Sequence, residues 1–136
     1  LGGAGWWSFF RRLTNRTRER AEVLAAEIGG AVTVVDWVSR ETALDGAALV
    51  VNTTTQGMHG EPSLDLRLDA LPRTAVVTDI VYTPLMTPLL HDAHARGNLI
   101  VDGLGMLLHQ ARPGFAAWFG TEPVVDEELR RAVLVG

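Results

Sequence analysis

The stretch Ala48-Leu49-Val50-Val51-Asn52-Thr53-Thr54-Thr55 sets four apolar residues directly against four polar ones. An unbroken apolar run of this length is the pattern of a strand buried on both faces, since a half-exposed strand would alternate. Strands of that kind belong to parallel sheets. In open parallel sheets, ligands are met beyond the carboxyl ends of the strands. The polar run therefore starts where a ligand would be bound.

Outward from this stretch the same junction recurs. Ala75 to Thr78 leads into Asp79-Ile80-Val81-Tyr82, and Leu99 to Val101 leads into Asp102-Gly103. Ala31 to Val35 is a strong β-branched run, and Arg12-Leu13-Thr14 is a weaker one ending at Asn15. Helical periodicity fills the intervals. Ala21, Leu24, Ala25 and Ile28 share one face of a helix over Thr17 to Ile28, with Thr17 as N-cap and Gly29-Gly30 as stop. A second helix is predicted over Thr87 to Arg96 and a third over Leu104 to Phe119, kinked or divided at Pro113-Gly114. A last short one runs from Asp126 to Val133, with Arg130 and Arg131 near its C-terminal end. Strands separated by helices imply right-handed crossovers and one parallel sheet, with strands at 31–35, 48–51, 75–78 and 99–101. That is the α/β class.

Length and composition bound the function. The 136 residues suffice for one domain. Hydrophobic residues at 47% and charged residues at 21% describe a globular chain. No apolar run reaches the ~20 residues of a membrane span, and no signal-peptide order opens the chain, so a cytoplasmic protein is expected. A net charge of -4 argues against a nucleic-acid surface. Cysteine is absent, which excludes disulfides, thiolate metal sites and cysteine nucleophiles. All twelve basic residues are arginine, so this chain has no lysine to act as acid, base or Schiff-base former. It begins at Leu1 rather than methionine and reads as a piece of a longer protein.

Several polar groups gather at the predicted strand ends. Gly3-Ala4-Gly5 could open a phosphate-binding loop, but Trp6 and Trp7 stand where small residues should follow and no strand precedes. Asn15-Arg16-Thr17-Arg18-Glu19-Arg20 is more specific. At the end of a second strand an acidic residue would bind a ribose 2′-hydroxyl, whereas arginine accommodates a 2′-phosphate. Arg16 and Arg20 lie four apart, as on one helical face, and could grip one phosphate together; a basic face paired with Glu19 and Glu22 is the plainer alternative. His91 and His94 at i, i+3 lack a third ligand and read as a solvated helix face, so no metal site is expected. His59 and His109 receive no role.

Taken together, Asn15-Arg16-Thr17 with Arg20-Ala21, Val51-Asn52-Thr53-Thr54 through Gly57-Met58, Asp79-Ile80-Val81-Tyr82 followed by Thr87-Pro88-Leu89-Leu90, and Asp102-Gly103-Leu104-Gly105-Met106-Leu107 with Gln110-Ala111 resemble the C-terminal half of shikimate dehydrogenase. The resemblance runs over about residues 12 to 120. It implies a Rossmann-like NADP-binding domain over residues 1–101, with its first βα unit truncated. Residues 102–136 would be helices that pack on an absent substrate domain. It implies an enzyme that reversibly reduces 3-dehydroshikimate to shikimate with NADPH, in aromatic amino acid biosynthesis. By resemblance, Gly3, Ala4 and Gly5 match the pyrophosphate loop, and Asn15, Arg16, Thr17 and Arg20 the grip on the 2′-phosphate. Thr53 and Ile80 line the cofactor cleft, Gly103 approaches the nicotinamide, and Tyr82 and Gln110 contact substrate. The family's catalytic lysine–aspartate pair lies in the first domain, so this chain holds no catalytic residue of its own. The segment from Gly5 to Asn15 is about ten residues shorter than the nucleotide-fold template. The alternatives are an NAD-using quinate/shikimate dehydrogenase and a non-catalytic nucleotide-binding domain. Neither nucleic acid nor membrane is an expected partner, and exposed apolar helices could support a homodimer.

Overall fold

Among the described residues, four runs rich in β-branched or aliphatic residues and the more polar Arg11–Asn15 form strands, each followed within a few residues by a turn, a cap or a helix. The computed structural model describes residues 10–135. Its strands are β1 (Arg11–Asn15), β2 (Val32–Asp36), β3 (Leu49–Asn52), β4 (Val76–Asp79) and β5 (Leu99–Val101). Its helices are α1 (Arg18–Ile28), α2 (Pro88–Ala95), α3 (Gly103–Phe119) and α4 (Glu127–Val135), with a 3-10 helix at Trp37–Leu44. All strand pairing is parallel, as the unbroken apolar runs require. Each strand lies within one residue of its predicted bounds. Gly29 stops α1 at a positive φ (67°), where a side chain would be strained.

The single sheet expected from the sequence is not formed among the described residues. β1 pairs only with β2, and β3, β4 and β5 form a separate three-stranded sheet. The outer edges of β1 and β3 carry no ladder partner among these residues. Nor are the strands buried on both faces. Val77 is fully buried, with Val50 and Ile100 beside it, under Leu89, Leu90 and Ala93 of α2 and a cluster of Leu44, Leu68, Leu71 and Ala75. The opposite face presents Leu49 and Leu99 in one register row and Val51 and Val101 in the next, all exposed. A second covering layer is what continuous apolar strands need, and the described residues lay none over that face.

Three further expectations are corrected, and one crossover that the periodicity left unassigned is defined. The crossover from β3 to β4, residues 53–75, holds no helix. Leu64, Leu66 and Leu68 alternate with Asp65 and Arg67 between Pro62 and Pro72, so this segment is an extended strap that lays its leucines on the core. Pro113 does not divide α3, which is continuous through it. Proline forfeits its own bond to the His109 carbonyl, and both residues are exposed, so water can serve that carbonyl. On α1 only Ala21 is buried, whereas Leu24 and Ile28 are exposed, because a two-stranded sheet is too narrow to cover the whole stripe. Finally, α4 extends to Val135, which puts Arg130 and Arg131 in its middle. Among the described residues no helix is long and apolar enough to cross a membrane.

Candidate functional site

The carboxyl ends of the strands carry the polar groups that the sequence singles out, and the structure divides them between the two sheets. At the end of β1, the Asn15 side chain accepts a hydrogen bond from the Thr17 N–H (2.9 Å) and turns the chain into α1. Thr17 stands at the N-cap position, though its side chain makes no capping bond. Arg16 therefore precedes the helix and Arg20 lies in its first turn, so the two do not share a helical face as expected. Both still border the N-terminus of α1, where unpaired N–H groups and the helix dipole favour an anion.

The alternative reading of this basic run is answered by Arg18. Its guanidinium pairs with Glu22 (2.7 Å) and with Asp36, the residue opposite Asn15 at the end of β2. Asp36 first, and Glu22 second, raise the Arg18 pKa above its ordinary value. Arg16 and Arg20 are exposed and form no ion pair or side-chain hydrogen bond among the described residues. Arg18 is thus engaged by Glu22 and Asp36, while Arg16 and Arg20 stay unpaired among the described residues.

The second cluster lies at the ends of β3, β4 and β5. Asn52 is buried and serves both neighbours. Its oxygen accepts from the Thr54 N–H (3.0 Å) and hydroxyl (2.8 Å), and its amide donates to the Gln56 carbonyl (3.1 Å) and to Asp79 (3.0 Å). Asp79 also accepts from the Val81 N–H (3.0 Å) and from the Thr87 hydroxyl (2.8 Å). Thr87 in turn caps α2, accepting from the Leu90 N–H (3.3 Å). The Ile80 N–H donates to the Asn52 carbonyl (3.1 Å), which sets Ile80 beside the Thr53 loop.

Gly103 completes this cluster. A Cβ built on it would lie 2.4 Å from the Ile80 carbonyl oxygen and 2.7 Å from that of Val81. Its missing side chain is thus required by the protein's own backbone. Asp102 caps α3 by accepting from the Leu104 N–H (3.1 Å) and pairs with Arg130 of α4. Thr53, Ile80 and Gly103 are brought together. Tyr82, about half exposed, follows Val81 on the same loop, and Gln110 is exposed two helical turns beyond Gly103. Gly3, Ala4 and Gly5 lie outside the described residues. The sequence reading passed over Asn52, Asp79 and Thr87 as a unit. The available signal was two side-chain amide or carboxyl groups ending adjacent strands, together with the Thr-Pro start of α2. Among the described residues no three metal-ligating side chains gather.

No protein-family model matches the chain. Over 123 residues, 90% of this chain, it is 67% identical to the shikimate dehydrogenase (NADP(+)) of Paramagnetospirillum magneticum and 61% identical to that of Dinoroseobacter shibae. It spans about half the length of these relatives, 45% and 44% respectively. Among solved structures, quinate dehydrogenase from Corynebacterium glutamicum in complex with NAD matches with a TM-score of 0.81 at 33% identity, over 92% of this chain and 46% of that one. Shikimate 5-dehydrogenase from Thermus thermophilus in complex with NADP(H) and shikimate matches with a TM-score of 0.69 at 33% identity, over 83% of this chain and 41% of that one.

Proposed function

Since the chain belongs with the shikimate dehydrogenases over the half of their length that it spans, we propose that it is the nucleotide-binding portion of such an enzyme and takes NADP at its strand ends. The observation that carries this reading is the state of the three arginines after β1. Arg18 is engaged by Asp36 and Glu22, which leaves Arg16 and Arg20 beside a helix N-terminus with no acidic partner among the described residues. That donor set suits the 2′-phosphate of NADP. It disfavours NAD, whose ribose hydroxyl would need a free acid there, and Asp36 is already paired.

In this reading Asn15, Arg16, Thr17 and Arg20 hold the adenosine phosphate, with Gly3, Ala4 and Gly5 matching the pyrophosphate loop. Thr53, Ile80 and Gly103 line the nicotinamide end, and Tyr82 and Gln110 orient the substrate. The chemistry supplied by the bound nucleotide is hydride transfer between nicotinamide and the carbon of 3-dehydroshikimate or shikimate. Residues 1–101 form the nucleotide domain, and residues 102–136 the helices that meet a substrate domain. The exposed rows of β3 and β5 and the exposed Trp118 and Phe119 suit such packing, and the same apolar surface would support a homodimer.

Calorimetric titration with NADP and NAD, on the chain and on Arg16→Ala, tests the reading. Loss of one charge-assisted phosphate contact is expected to cost about 1.5–3 kcal/mol, roughly ten- to a hundredfold in NADP affinity, with NAD little changed. An unchanged NADP:NAD ratio would remove the phosphate role from Arg16.

A further inference from the structure

Resting on the nucleotide reading above, we propose that Asp79 is the positioning residue for the nicotinamide half of the cofactor site. Asp79 and Thr87 are completely buried (0% exposed) and Asn52 nearly so (4%). A carboxylate offers acceptors only, and here its two oxygens point at different elements. One oxygen takes the Asn52 amide from β3 and the Val81 N–H from the loop after β4. The other takes the Thr87 hydroxyl at the start of α2. Three segments therefore share one side chain: the Asn52–Thr54 turn, the Ile80–Tyr82 loop and the α2 cap. The N-terminus of α2, capped by Thr87, favours a carboxylate at that place.

The same hub fixes where α3 begins. Gly103 is seated against the Ile80 and Val81 carbonyls, and the direction of the Ile80 carbonyl, which shares a peptide plane with the Val81 N–H, follows from that N–H being held by Asp79. Removing the carboxylate deprives buried donors of their acceptor and releases the Ile80–Tyr82 backbone. The adenosine grip is not touched. Arg16 and Arg20 follow β1, and among the described residues no ladder joins the β1–β2 sheet to the β3–β4–β5 sheet. A lesion at Asp79 should thus divide the cofactor's two ends, which a general loss of folding would not do.

The experiment titrates NADPH and adenosine 2′,5′-bisphosphate against the chain, Asp79→Ala and Asp79→Asn. Asp79→Ala is expected to weaken NADPH about tenfold or more while the bisphosphate stays within about twofold. Asp79→Asn keeps one acceptor oxygen, and its amide can donate to Thr87, so NADPH affinity should return to within about threefold. If Asp79→Ala fails to fold, Thr87→Val replaces it, with a smaller loss confined to NADPH. Equal weakening of both ligands, or no weakening of NADPH, overturns the positioning role and leaves the nucleotide reading standing. A wild-type chain that binds neither ligand overturns both.

Discussion

Gly103 illustrates how one atom can be excluded by geometry alone. Its absent Cβ would fall inside the contact distance of two backbone carbonyls, neither of which can swing away as a side-chain tip could. Gly103→Ala is therefore expected to destabilise the chain by about 1–3 kcal/mol through overpacking, read as a lower denaturation midpoint at unchanged slope. At Gly105, two residues on inside α3, a Cβ meets nothing, so Gly105→Ala serves as the clash-free comparison and should gain up to about 1 kcal/mol. A second residue-scale expectation concerns Glu41, whose carboxylate is bonded by the Arg67 guanidinium at 2.8 to 3.2 Å. That hydrogen bond holds the Glu41 pKa below its ordinary 4.5. Because the folded value is depressed, the pair's contribution is present above the ordinary value and is lost as pH falls through the folded one. An NMR titration should place the Glu41 midpoint below 4.5, and Arg67→Ala should return it there. Arg67 is exposed and Glu41 only half-buried, so solvent screening keeps the effect on stability small.

At the scale of elements, helix ends do much of the organising. Thr87 caps α2, Asp102 caps α3 and Asp126 caps α4, each through a side-chain oxygen and a backbone N–H. Asp102 has a second function, because its other oxygen pairs with Arg130 and ties α4 to the end of β5. The two functions are separable. Arg130→Ala should loosen α4 alone, seen as faster amide exchange over Glu127–Val135 with α3 unchanged. Asp102→Ala should add the loss of the α3 cap, a further ~1 kcal/mol. If exchange over α4 does not respond to Arg130→Ala, the pair contributes nothing to its docking. These caps were legible in sequence as Thr-Pro, Asp-Gly and Asp-Glu-Glu junctions. The 53–75 strap was not, because its leucines alternate like a strand yet it finds no ladder partner.

At the scale of the whole molecule, the expected consequence is that this chain alone does not turn over shikimate. Protonation of the developing alkoxide needs a donor within hydrogen-bond reach, and arginine does not release a proton near neutral pH. Tyr82, the one phenol of the chain and the residue placed on the substrate loop, is about half exposed rather than enclosed. NADP reduction with saturating shikimate should be absent for the chain alone and should rise when a separately made substrate domain is added. Activity from the chain alone would redirect the acid–base role to Tyr82.

What the sequence determined by itself was the set of strands, their parallel character and the polar groups at their ends. These depend on runs of a few neighbouring residues, so β-branched runs and Asx or Thr junctions reveal them without a fold. What only the tertiary structure decided was which of those groups are already engaged. Arg18 rather than Arg16 meets Asp36 across 18 positions, and Asn52 meets Asp79 across 27. Among the described residues, the division of the strands into two sheets and the exposure of the second face of β3–β5 are of the same kind. Each turns on which distant segment is present to pair or to cover, and no local pattern of side chains carries that information.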